Sequence, residues 1–415
     1  FSLQEAIAYI IYDYRKSKGD WKEYYSSNFP DLPLVKDFVS ASVYPGSKIP
    51  IVSWGDCPIL PWKRSIINFL DSIESSDEIN LNKQINFGGG DIKLHKDKTK
   101  EILTTEPLTL PTLLLPQASS SNYKEASISV KKFSSSIVVF KSRVRGVQYP
   151  NWHLYIIATP IHLTHNKDHD LGSFYWAANE KICIGEAPGR AAYCHNTVGI
   201  KGIMLGDNKD PYKCYGSEQA ESLTDRQYGG ELDVVREEND IFVVRVVAED
   251  GVVYSNGSPL IKKYRRDFVI LNSLEPVVFV ITRGECEEAE EDIFVNFVCP
   301  NGAEAGLLSA SNKYYTLANS NATLSLIGGN DTFLQVKPIE KFSGSCIIED
   351  IPRRKHFCSI ALLESGGQKS TTSLEKINGH ITISCNAPGG EKYRINIPDT
   401  YSEIEATVEG CNNDF

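Results

Sequence analysis

Excess basic charge, paired zinc-type cysteines and long apolar runs are all missing from this sequence. Lys and Arg number 43 against 53 Asp and Glu, for a formal net charge of −10. A chain of that sign excludes nucleic acid as the main partner and offers little to a membrane surface; an acidic polysaccharide would have to be met by a local basic groove. No stretch approaches the roughly 18 apolar residues that span a bilayer. Ten cysteines are scattered with no CxxC pair, which argues against a zinc knuckle and leaves buried thiols as the plain reading. Methionine occurs once, at Met204, and the chain opens at Phe1, which reads as a processed or excised product. Histidine is scarce too, with eight in the chain.

What is present is concentrated. The stretch HLTHNKDHDLGSFYWAANEKICIGEAPGRAAYCHNTV, from His162 to Val198, gathers His165, Asp168, His169, Asp170, Glu186 and His195. Phe174, Tyr175, Trp176, Ile182 and Ile184 lie among them, so part of this polar set is expected on strands with a buried face. A hydrophobic share of 41% over 415 residues supports a sizeable core and two or three domains.

Along the chain the periodicity changes once. SLQEAIAYIIYDYRK spaces its apolar residues three and four apart, and PWKRSIINFLDSIES does the same behind Pro61, so residues 1–118 read as helical. A Ser-rich connection at Ser119 to Asn122 marks the boundary. Beyond it, ASISVKKFSSSIVVFKSRVRG, WHLYIIATPIHL, GSFYWAA, KICIGE, IFVVRVVAEDGVVY, YRRDFVILN, PVVFVITRG and DIFVNFVCP alternate or run short and β-branched. No helical crossover separates them, so residues 119–336 predict an antiparallel β-sandwich. SCIIED, CSIALLE, HITISC and YRINIP suggest a smaller β domain over 337–415. The fold class is therefore mainly β, with a helical region in front.

The ordered set VVFKSRV, HNKDHDLGSF, GEAPG, YCHNTVGIKG, KKYRRDFVIL and VVFVITRG resembles the heparinase II/III-like proteins, which include heparin, heparan and alginate lyases. The loop YPGSKIPIVSWGDCP looks like the end of their helical toroid, so the resemblance covers residues 40 to 285 or so. It implies an α/α-toroid followed by a sandwich, with an acidic glycan between them. The implied chemistry is β-elimination at a uronic acid: the carboxylate is neutralised, a base takes the C5 proton and an acid protonates the departing O4.

Carried over residue by residue, the family run H-x-H-x-D-L-G-S-F lies over residues 166 to 174. Asn166 then stands where the family has its sandwich catalytic histidine, and Asp168 where it has its first metal histidine. Glu186 falls near the acidic ligand, and His195 matches the last one. The implied metal set is Asp168, Glu186 and His195, a hard donor set suited to zinc, calcium or manganese. With Asn166 unable to act as a base, neighbouring His165 and His169 and the nearby Tyr193 complete the candidate catalytic set. A toroid tyrosine acid is sought among Tyr24, Tyr25 and Tyr44, or in an upstream fragment or another chain. The alternative is a scaffold that keeps the fold for glycan binding or assembly without catalysis.

Arg143 and Arg145 recur with period two, as do Lys263 and Arg265, so each set would line one strand face and could meet an anionic glycan. Trp176 is the candidate stacking platform for a sugar ring, against the plainer reading of core packing. Three sequons, at Asn256, Asn321 and Asn330, allow glycans on a secreted eukaryotic chain. The expected location is secreted or periplasmic.

Overall fold

The structure is a computed structural model that describes residues 3–17, 19–42, 64–74, 81, 128–133, 137–142, 152–158, 172–178, 181–186, 195–201, 231–238, 241–248, 252–255, 258–272, 275–287, 292–307, 313–317, 321–327, 333–339, 344–352, 354–398 and 402–409. The chain divides into two compact units, Phe1–Ser53 with Cys57–Ala126, and Trp54–Asp56 with Ser127–Phe415.

The first unit holds helices α1 (Leu3–Ser17), α2 (Trp21–Asn28), α3 (Leu32–Ser42) and α4 (Arg64–Asp71). In α1 the three- and four-residue spacing brings Ile7, Ile10 and Ile11 into a core with Trp21, Tyr25, Ile67 and Phe69. The Asp20 side chain caps α2 by accepting from the Glu23 amide at 3.0 Å, which satisfies a donor the helix cannot pair itself. Tyr24 and Tyr25, two of the tyrosines singled out by type, are buried in this core. Tyr44 lies outside the described residues.

The second unit is antiparallel throughout its described strands. β1 (Ile128–Phe133), β2 (Ile137–Ser142), β3 (Trp152–Ile157), β4 (Phe174–Ala178) and β5 (Lys181–Ile184) pair in sequence order. The short β6 (Val198–Ile200) leaves that sheet. β7 (Glu231–Glu238), β8 (Ile241–Ala248), β9 (Val252–Ser255), β10 (Ser258–Leu271) and β11 (Val277–Cys286) open a larger one. After β12 (Ile293–Cys299), the strands β13 (Ala303–Leu307), β14 (Lys313–Leu317) and β15 (Thr323–Leu326) return to it. β16 (Phe333–Pro338) and β17 (Ser345–Ile351) join β12 and β6 in a third sheet, while β18 (His356–Glu364) sits inside the large sheet between β15 and β11. β19 (Thr371–Ile377), β20 (His380–Asn386), β21 (Lys392–Ile397) and β22 (Glu405–Val408) form a fourth. Asn378 and Gly379, both at positive φ of 51° and 86°, give the left-handed pair that a two-residue hairpin between β19 and β20 requires.

The nine-stranded sheet is the middle layer. Its even positions Val244, Val246, Phe268, Ile270, Val278 and Val280 share one core with Trp152, Leu154, Phe174 and Trp176 of the first sheet and Val295 and Phe297 of the third. Its odd positions Val243, Val269, Leu271, Phe279 and Ile281 share another core with Ile383, Tyr393 and Ile395 of the terminal sheet. A sheet covered on both faces has no polar side to display, which explains why VVFVIT and FVIL are continuous apolar runs rather than alternations. Phe279→Ala is expected to cost about 3–5 kcal/mol and to lower hydrogen-exchange protection in β20 and β21; unchanged protection there would mean the terminal sheet does not depend on this face.

Candidate functional site

Three chain segments meet where β4 begins, β5 ends and β6 begins. Ser173, Glu186, His195 and Asn196 come from them and are all buried, none more than 3% exposed. The Ser173 hydroxyl donates to Glu186 Oε1. Glu186 Oε2 lies 3.5 Å from His195 Nδ1. One carboxylate is thus oriented by a serine on one oxygen and faces an imidazole with the other, so the serine sets which way the carboxylate is turned toward the ring.

Asn196 is the hub beside this pair. Its amide nitrogen donates to the carbonyls of Phe174 at 2.8 Å and Gly185 at 2.5 Å. Its amide oxygen accepts from the Val298 N–H at 2.6 Å. One side chain therefore closes the ends of β4 and β5 and a backbone donor of β12, with no polar capacity of those groups left unmet.

Beneath it lies Arg266, fully buried on β10. Its Nε donates to Thr282 Oγ1 at 2.9 Å and its Nη1 to the Gly172 carbonyl at 2.8 Å and to the Asn196 carbonyl. Burial lowers its pKa, with the neighbouring Tyr264 acting in the other direction. Gly172 has φ +70°, and a Cβ there would sit 2.5 Å from the Tyr264 hydroxyl, so only glycine lets this turn approach β10.

Of the residues expected from sequence, the structure brings Glu186 and His195 together. His165, Asn166, Asp168, His169 and Tyr193, with Arg143 and Arg145, lie outside the described residues. Among the described residues no group of three His, Cys, Asp or Glu is placed to hold a metal ion. Trp176 is 1% exposed and packs in the central core; the expected sugar platform is corrected to a core side chain, because a ring without exposed face cannot stack on a ligand. Arg265 does not join Glu186 and His195 either. It points to the opposite face of β10 from Arg266, as successive strand residues must, and is ion-paired with Asp267 at 3.0 Å.

Sequence reasoning missed Asn196 and Arg266. The signal for Arg266 was present: counting by two through Tyr264, Arg266, Phe268 and Ile270 places an arginine on the inward row of an apolar strand. A buried arginine among such residues has to be anchoring carbonyls or a carboxylate.

No protein-family model matches the chain, and no curated protein matches it. Among solved structures, it is similar to a heparan sulfate lyase HepC mutant from Pedobacter heparinus, at 12% identity and TM-score 0.50, over 89% of this chain and 53% of that one. The HepC structure from the same organism is matched at 13% identity and TM-score 0.44, over 71% of this chain and 46% of that one. The chain thus spans about half the length of these neighbours. At this identity the first likeness is one of fold.

Asn196→Ala is expected to destabilise the second unit by about 2–4 kcal/mol, since three buried backbone groups lose their partner at roughly 1 kcal/mol or more each. A urea-unfolding shift under about 0.5 kcal/mol, the size of an ordinary surface change, would remove it as the hub.

Proposed function

We propose that the chain is the sandwich-bearing part of a polysaccharide lyase that cleaves a uronate-containing glycan by β-elimination. The observation that carries this reading is the buried Ser173–Glu186–His195 arrangement at the end of a sandwich whose fold is similar to that of a heparan sulfate lyase. An acidic polysaccharide is the partner, met by side chains of the His162 to Val198 stretch.

Glu186 and His195, with Asp168 as third donor, hold a divalent ion, zinc, calcium or manganese. The 3.5 Å between His195 Nδ1 and Glu186 Oε2 supports this, because the two donors are near enough that both would reach one small cation. When bound, the ion lends positive charge to this end of the sandwich and ties the segments together. Ser173 keeps Glu186 turned so that one oxygen stays on the imidazole side. His165, Asn166, His169 and Tyr193 are the groups proposed to contact the sugar, with a histidine taking the C5 proton and Asn166 hydrogen-bonding the uronate. The chain acts outside the cell or in the periplasm, and Asn321, exposed just before β15, is the sequon that lies among the described residues.

A second reading, a scaffold that binds glycan without cleaving it, is favoured by one observation: Asn166 and Asp168 stand where the resembled family carries histidines.

Mixing the protein with alginate, heparin, chondroitin and hyaluronan separates the two, because β-elimination leaves an unsaturated, absorbing product. Absorbance growth on at least one is expected. Silence on all four, with any helical segment encoded upstream included, overturns the lyase reading. Metal analysis of the purified protein should find about one equivalent, lost in His195→Ala; a metal content equal in both proteins would remove His195 from the ligand set.

A further inference from the structure

The face of β10 opposite Arg266 carries an unusual charge arrangement. Strand register sets Arg265 directly across from Arg283 on β11 and Asp267 directly across from Arg245 on β8. Like charges facing each other across a ladder repel, and here the shared carboxylate of Asp267 bridges them. It accepts from Arg265 Nε at 3.0 Å and Arg283 Nη2 at 2.9 Å, and lies 3.8 Å from Arg245 Nε.

Three guanidinium groups therefore surround one fully buried carboxylate. Arg283 spends its remaining reach on the carbonyls of Pro398 and Ser402. Arg245 meets Glu403 at 2.8 Å, a carboxylate that is itself 65% exposed. Asp233, opposite Arg245 on β7, is exposed and forms no ion pair among the described residues. Lys263 stands two residues before Arg265 on the same row, loosely paired with Glu285 at 3.6 Å. Among the described residues, three guanidinium groups gather around the buried carboxylate of Asp267 and the exposed one of Glu403, a lining whose donors favour an anion over a cation.

A cavity of about 200 Å³ opens at this point, lined by Arg245, Lys263, Arg265, Ser402 and Glu403 among others. It has ample room for an oxyanion of a few non-hydrogen atoms, given that a water occupies roughly 30 Å³. Guanidinium forks and a hydroxyl are the donors such a group takes.

We propose that this cavity binds one oxyanion group, sulfate or carboxylate, between Arg245, Arg265 and Lys263, with Glu403 as a built-in competitor for Arg245. Its hydrogen bond to Arg245 and the charge of that guanidinium hold Glu403 below the usual carboxylate range, so the competitor stays ionised at neutral pH. The site lies on the terminal-sheet face of β10 and does not rest on the lyase reading.

The test is calorimetric titration of the whole chain with sodium sulfate, sodium acetate and a monosaccharide sulfate, against sodium chloride of equal ionic strength. Saturable binding of at least one is expected, and a sugar sulfate that binds better than inorganic sulfate assigns the group to a glycan, whereas equal binding assigns it to the free anion. Glu403→Gln, a surface change that spares the fold, should tighten the best ligand about threefold. Arg245→Gln should weaken it about tenfold or more. No saturable binding above the chloride control, or an affinity unchanged in Glu403→Gln, overturns the proposal.

Discussion

A single buried guanidinium on β10 is what the polar end of the sandwich hangs from. Arg266 reaches the Gly172 and Asn196 carbonyls from the middle sheet, so the turn before β4 and the turn before β6 are fixed to the same strand. Those two turns also place Ser173 and His195, whose common neighbour is Glu186. Arg266 has no carboxylate partner among the described residues; fully buried charge is expensive, and the carbonyl dipoles of Gly172 and Asn196 offset it. The site is therefore an outcome of how loops are tied to the sheet rather than of any one loop's own preference.

The strand that carries Arg266 has to satisfy two cores at once. From Tyr264 onward its even apolar residues face the first and third sheets and its odd ones face the terminal sheet. Period two then dictates that neighbouring arginines serve opposite sides of the layer. Arg266 ends up with backbone oxygens and Arg265 with Asp267, and neither can trade places without moving the whole strand by one residue.

Periodicity made much of this readable in advance. The switch from three- and four-residue spacing to short β-branched runs corresponds to helices α1 to α4 giving way to strands from β1 onward, though the boundary set at Ser119 to Asn122 lies outside the described residues, and every apolar run named in the sandwich stretch contains a strand. Harder to read was which sheet each strand enters. SCIIEDI and HFCSIALLE, grouped in sequence with the terminal strands, pair instead with β12 and with β11 and β15. Non-local pairing of that kind leaves no trace in local spacing. Trp176 shows the same limit at one residue: an aromatic reads identically whether it faces a ligand or a core, and here it faces the core. For Glu186 and His195, spacing alone could not place residues on separate segments side by side; the resemblance to the heparinase II/III-like proteins did.

The buried carboxylate–imidazole pair of Glu186 and His195 depends on the turns that Arg266 and Asn196 hold. A double-mutant cycle combining Arg266→Met with Asn196→Ala, read by native-state hydrogen exchange at the amides of β6, tests that dependence most directly. If the two residues fasten one structure, their effects couple by about 0.5–3 kcal/mol. Additivity within about 0.3–0.5 kcal/mol would mean that they act independently, and the site would lose its common anchor.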